Sequence, residues 1–460
     1  MTAHDSSARP VTRELASFAS RIAYADLPAT TLDMAKRLLL DGIGCLLVGG
    51  RGATGLAATA TVRRLGGLPQ ATLMTDLQAA SVRDAAFVNG ICLYSVGLND
   101  VHKPAGSHPG GCIIPVLLAV GEWQRAPGAL LLAAMAGGYE VAGRIGRAIY
   151  PSHRERGFHP TGTCGTFGAA AAAGRLLGLD ALQMASAFGI AGSQAAGLYE
   201  CHHDGTSTMI FHAGRAAQNG VEAALLTEAG FTGPGTVLEG SKGFFQATAN
   251  TFDADAAMAD FGRRYEIEAT SFRPYFGCNS TLAASGATAA ILKTDRVTPE
   301  QIESVSVHCH RVVAQDNADG NPQTMLAARL SLPFNVALVL AHGDVLAGDL
   351  EDKSLHDARI RGLLPKIKMM VDAAMPRYGS RVQLRTTGGK VLEETIAEPR
   401  GSDQYPLLWD DVVEKYYRLV SPLGNAEAQR KVVAAVENIE SMDTPALIET
   451  LRMAQAQARS

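Results

Sequence analysis

Apolar positions recur at three- and four-residue intervals along most of the chain, the spacing expected of helices that bury one face. In "TTLDMAKRLLLDGIGCLLVGG", residues 30–50, Leu32, Ala35, Leu38, Leu39, Ile43 and Leu46 share one stripe behind Thr30 or Thr31 as a cap. The same pattern predicts helices over 79–97, 112–124, 128–149, 164–178, 181–195 and 208–229. Glycine and alanine are frequent inside these segments. An interior glycine costs a helix about 1 kcal/mol relative to alanine, so its retention points to helices that approach one another closely.

The period changes near residue 267. In "IESVSVHCHRVV" Val305, Val307 and Cys309 alternate with Ser306, His308 and His310, the two-residue period of a strand. "SRVQLRTTGGKVLEETI" reads as two strands joined at Gly388 and Gly389. Helical spacing covers 279–293, 323–345 and 354–366 and resumes after 405. The expected fold is mainly α: a large all-helical domain from residues 1–266 and 405–460, and a smaller α+β domain from 267–404. A cleft between two such domains is a natural place for a small-molecule site.

Composition narrows the function. The 460 residues exceed one ordinary core, and 47% hydrophobic with 19% charged residues describes a well-buried globular chain. The net charge is −4 with basic residues scattered, which argues against nucleic acid and acidic membranes as partners. Seven cysteines, an odd number with no CxxC pair, are expected as reduced thiols. Glu122 and Glu140 interrupt the longest apolar runs before they reach membrane-spanning length. "MTAHDSSARPVTREL" lacks a basic-then-apolar signal pattern, so the cytoplasm is the expected compartment.

Nucleotide-binding, zinc-protease and serine-hydrolase motifs are absent. His308 and His310 can share a strand face, but two ligands do not make a metal site. Four glycine-rich junctions remain. They carry Asn99, Asp100, His102 and His108; then His159; then His202, His203, Asp204 and His212; then Arg273, Tyr275, Cys278 and Asn279. Three of them empty into helix starts, where unpaired N–H groups and the helix dipole favour anions and disfavour a protonated imidazole. A neutral histidine beside such an anion can serve as a general base. The competing reading of His159 is a ring that braces or caps its own helix.

Several blocks resemble the MmgE/PrpD family. They are "AAFVNG" (85–90), "SHPGGCIIPVLLAVGE" (107–122), "GFHPTGTCGTFGAAAAAGRLLGLD" (157–180), "FGIAGSQAAGLYE" (188–200), "FHAGRAAQNGVEAALLTEAGFTGPGTVLEG" (211–240) and "SLPFNVALVLAHGD" (331–344). The match runs in order from about residue 12 to 455. This resemblance implies that the smaller domain is a lid, that the chain forms homodimers, and that catalysis proceeds without metal or organic cofactor. It also implies chemistry at a carbon next to a carboxylate: dehydration, decarboxylation or epimerisation.

The family's two histidines fall on His108 and His159. Its acidic motif reads "YSVGLND", so Tyr94 stands for a histidine, Gly97 and Asn99 for aspartates, and only Asp100 is kept. Met209 replaces a lysine, Arg273 another lysine, and Phe334 a tyrosine. His108 and His159 are therefore the expected catalytic pair, and Arg273 the expected carboxylate anchor. Asp100, Tyr94, His203, Tyr199 and Cys278 are candidate replacements for the lost groups. Cys278 stands before a helix start beside a guanidinium, a setting that favours a thiolate. Met209 and Phe334 are expected to make the pocket more apolar. The leading expectation is a lyase on a small organic acid with fewer negative charges than a tricarboxylate. An epimerase and a catalytically silent carboxylate-binding dimer or scaffold are the alternatives.

Overall fold

The computed structural model describes residues 9–343 and 352–456, with His203, Asp352, Lys353 and Ala456 described through their backbone only. Two compact units emerge. The first takes the described residues of Met1–Ser95, Asn99–Thr270 and Leu423–Ser460; the second takes Val96–Leu98 and those of Ser271–Pro422. The second unit thus runs beyond residue 404 and includes the helix Trp409–Val420.

The architecture is mainly α. The first unit contains α1 (Ala29–Gly49), α2 (Val82–Ser95), α3 (Gly110–Gln124), α4 (Gly128–Ile149), α5 (Pro160–Leu176), α6 (Ala181–Gln194) and α7 (Thr208–Glu228). Its middle is α5, which packs against α3, α4, α6 and α7. Apart from Arg175, every residue of α5 is buried. A helix of alanine, glycine, threonine and cysteine can be enclosed on all sides because no face needs water. It begins at Pro160, a turn earlier than its apolar spacing predicts. Proline is well suited to a first helical position, where its missing N–H costs no hydrogen bond and its fixed φ matches the helix.

The close approach expected from the glycines is present where α5 meets α7. A Cβ placed on Gly220 would lie 2.4 Å from the Cβ of Ala169. A buried ion pair braces α4: Arg144 Nε donates to Glu140 at 2.5 Å, and Arg144 also donates to the Ala257 and Ala259 carbonyls at 2.8 Å. Glu140 in turn accepts the Glu266 backbone N–H at 2.6 Å.

The second unit contains α8 (Asn279–Asp295), β1 (Ile302–Cys309), α9 (Leu332–His342), β2 (Ile367–Val371), β3 (Ser380–Thr386) and β4 (Val391–Ile396). The strands form one sheet in the order β2-β1-β3-β4. β1 runs parallel to β2 and antiparallel to β3, with Val307 opposite Met369 and Val382. Val305, Val307 and Cys309 join the core with Phe334 and Leu338. β2 left little trace in the sequence because most of it is exposed or half-buried. The helix expected over 323–345 is broken at Ser331, whose hydroxyl caps α9 by accepting the Phe334 N–H at 3.0 Å, with Pro333 in the first turn. Residues 344 and 345 of that expected helix lie outside the described residues. Among the described residues no single helix is long and apolar enough to cross a membrane, and no disulfide forms.

Candidate active site

Two loop-to-helix junctions of the first unit are stitched together. The backbone N–H of His108 donates to the Thr161 hydroxyl at 3.1 Å, and the Cys112 thiol donates to the Thr161 carbonyl at 3.3 Å. The "SHPGG" turn therefore sits against the first turn of α5, whose N-cap is His159. The paired glycines have a steric cause. A Cβ on Gly110 would lie 2.6 Å from Asp100 Oδ1, and one on Gly111 would lie 2.8 Å from the Tyr94 ring.

His108 is half-buried, and its Nδ1 lies 2.7 Å from the Asp100 carbonyl oxygen. A carbonyl only accepts, so Nδ1 carries the proton and the lone pair of the neutral ring is on Nε2. His159 is 3% exposed and makes no side-chain cap hydrogen bond at the start of its helix. Its Nδ1 lies instead 3.1 Å from Nδ1 of His212. The Tyr94 ring stands edge-on to both imidazoles, with centroids 5.5 Å from His108 and 6.3 Å from His159. The Tyr199 ring is 5.7 Å from His159 and stacks on His202 at 4.7 Å, and the Arg154 guanidinium lies 4.7 Å over it. Tyr94, His108, His159 and Tyr199 are thus brought together in one unit.

Asp100 serves the scaffold. One carboxylate oxygen accepts from the Gly110 N–H at 2.9 Å and the Tyr139 hydroxyl at 3.0 Å, and the other from Asn99 at 3.2 Å. Burial pushes its pKa up, and these donors pull against that rise. Its contribution to His108 is its backbone carbonyl. Met209 is buried on α7, one turn before His212. The side chain of His203 lies outside the described residues.

Arg273, Cys278 and Phe334 belong to the second unit. Arg273 is 1% exposed and donates to the Gly277 carbonyl at 3.4 Å. Cys278 is the N-cap residue of α8, its backbone N–H donating to the Thr281 hydroxyl at 3.2 Å, and its sulfur accepts from Asn317 Nδ2 at 3.5 Å. Phe334, expected to line a pocket, instead packs in the core: it has no exposed surface and clusters with Val305, Val307 and Val382. Gly97, at the place of a family aspartate, leaves room for the Arg329 guanidinium. A Cβ there would meet it at 2.8 Å.

Sequence reasoning named His212 only among the junction histidines and singled out neither Arg154 nor Arg329. Spacing could have flagged His212 alone, since it lies one turn beyond Met209 on the same helix. Among the described residues no group of three His, Cys, Asp or Glu side chains is placed to hold a metal ion.

Comparison with known proteins identifies the family. The MmgE/PrpD N-terminal domain model matches residues 13–257 and the MmgE/PrpD C-terminal domain model residues 277–441. A cis-aconitate decarboxylase-like protein, oryM, of Aspergillus oryzae is 27% identical across 94% of this chain and 95% of its own length. The cis-aconitate decarboxylase of Aspergillus terreus is 26% identical across 97% of both chains. That of Homo sapiens is 27% identical across 80% of this chain and 78% of its own.

Proposed function

The chain belongs to the MmgE/PrpD family, and from that premise we propose that it is a lyase acting at a carbon next to a carboxylate of a small organic acid. The observation that carries this reading is the pair of imidazoles at two helix starts, edge-on to one tyrosine, with the lone pair of neutral His108 directed to Nε2.

Breaking a bond next to a carboxylate leaves an electron pair on carbon. It needs a base or acid in reach and fixed positive charge on the carboxylate. His159 and His108 are the proposed proton carriers. Arg273 is the proposed anchor, because a planar guanidinium fork matches a carboxylate. Elimination of water or loss of CO2 ranks first because the relatives named above are two cis-aconitate decarboxylases and one cis-aconitate decarboxylase-like protein, names of the lyase type. The substrate is proposed to carry fewer negative charges than cis-aconitate, because Met209 stands where the family has a lysine. A homodimer is the proposed assembly. The second imidazole also suits an epimerase, in which one ring removes a proton and the other returns it.

A panel of small 2-hydroxy and unsaturated mono- and dicarboxylic acids, with cis-aconitate included, separates these readings. A lyase yields an alkene or CO2, and an epimerase yields only exchanged and inverted starting acid. Turnover that survives both His108→Ala and His159→Ala would contradict the proposed proton carriers.

A further inference from the structure

The contact between His159 and His212 has a consequence for chemistry. Their Nδ1 atoms lie 3.1 Å apart, and only one proton fits between two such nitrogens. The ring that donates and the ring that accepts must then be opposite tautomers when both are neutral. The approach is built by the backbone around it. The His159 N–H donates to the Gly197 carbonyl at 2.9 Å, which fixes the end of the 195–198 segment against the start of α5. A Cβ on Gly162 would lie 3.2 Å from the His212 Cβ, and one on Gly197 would lie 3.4 Å from its Cγ and Nδ1. His212 thus sits in a slot that two residues without side chains leave open.

We propose that His212 is a positioning residue for His159. Its Nδ1 accepts the His159 Nδ1–H, which places the lone pair of neutral His159 on Nε2 and orients that atom for proton transfer. This rests on the lyase reading above for its functional meaning and for which ring donates, and on the geometry for the opposite tautomers of the two rings. The step balances simply. The substrate C–H bond breaks, its electron pair stays on the carbon beside the carboxylate, and its proton forms the Nε2–H bond of an imidazolium on His159. The Nδ1–H continues to point at His212, and the reverse movement returns a proton to carbon. Burial lowers the proton affinity of His212, which favours its part as a neutral acceptor.

Two readouts on the full-length protein test this. The first is nitrogen NMR of the protein labelled in histidine, with the His159 signals identified by their loss in His159→Gln. The expected wild-type signature is a protonated Nδ1 and a bare Nε2, reverting toward the commoner Nε2–H form in His212→Leu. A wild-type His159 already protonated on Nε2, or a pattern unchanged by His212→Leu, overturns the proposal.

The second readout is steady-state kinetics. His212→Leu is expected to lower kcat about 10–100-fold with KM nearly unchanged, a part of what general acid–base catalysis supplies. His212→Asn keeps a polar atom where Nδ1 stood and is expected to stay within a few-fold of wild type. His212→Gln, whose amide reaches the place of Nε2, should behave like leucine. Equal losses in the Asn and Leu variants reduce His212 to packing and overturn the proposal. Should the Leu variant fail to fold, Asn against Gln carries the test. A tautomer that responds to His212 in a protein that turns over no acid supports the positioning and contradicts only the lyase reading.

Discussion

His153 and His159 are six residues apart in the same unit, both buried, and they are used in opposite ways. The His153 ring stacks on Phe158 at 4.8 Å and has both nitrogens committed. Nδ1 donates to the Thr248 carbonyl at 3.1 Å, and Nε2 accepts from the Thr163 hydroxyl at 2.8 Å. Burial pushes its pKa down to about 4, so the ring is neutral and chemically idle. His159 spends its Nδ1 on another imidazole and lies among the rings of Tyr94, Tyr199 and His212. Residue type and burial are alike in the two. What differs is whether the ring's partners are a hydroxyl and a carbonyl, which lock it, or a second titratable ring, which can accompany a change of proton.

The largest effect that separates the two is catalytic. His159→Ala should lower kcat/KM by about 10²–10⁴, the usual worth of a general acid–base group. His153→Ala should leave kcat within about twofold while costing about 1–3 kcal/mol of stability from the polar groups it strands. Steady-state assays paired with urea melts read both.

The ionic brace behaves as His153 does. Glu140→Ala would strand the buried Arg144 guanidinium and should destabilise the first unit by about 3–5 kcal/mol, read as a lower midpoint in thermal unfolding. Its kcat, measured on the folded fraction, should not change. Gly220→Ala is a smaller test of scaffold against chemistry. Its methyl would press on Ala169 at 2.4 Å, and overpacking of this kind costs about 1–3 kcal/mol in a denaturant melt.

The subtlest prediction concerns pH. His153 has a folded-state pKa near 4 against an ordinary value of 6.5, so between these values the unfolded chain binds the proton more readily. Stability held by the neutral ring is full above pH 6.5 and is lost as pH falls toward 4. The difference in unfolding free energy between wild type and His153→Asn should therefore shrink across that window. A difference that is flat with pH would show that the His153 ring does not titrate in this way.

Much of this organisation was legible in the chain itself. The three- and four-residue spacing marks α1, α4 and α7, because each buries apolar side chains at that period. The alternation of Val305, Val307 and Cys309 marks β1, and Gly388–Gly389 marks the hairpin. β2 escaped because few of its side chains are buried, and the break at Ser331 escaped because apolar residues continue through it. At the site, His108 and His159 could be singled out from their place before helix starts and from the family blocks. What sequence could not give is partnership. That Asp100 turns its carboxylate to Gly110 and Tyr139 while its carbonyl holds His108 depends on how α3 and α4 pack. That His212 meets His159 depends on two glycines elsewhere in the chain, and that Phe334 packs with Val305, Val307 and Val382 depends on strands far from it in sequence.

The most direct measurement is the entry of solvent deuterium at the carbon beside the carboxylate of the acid the enzyme turns over, followed by NMR for wild type, His153→Ala and His159→Ala at equal folded concentration. The account predicts label in the first two at similar rates and a loss of about a hundredfold or more in the third. Equal labelling by His159→Ala and wild type would show that the proton travels by another route and that the contrast between the two histidines has no catalytic meaning.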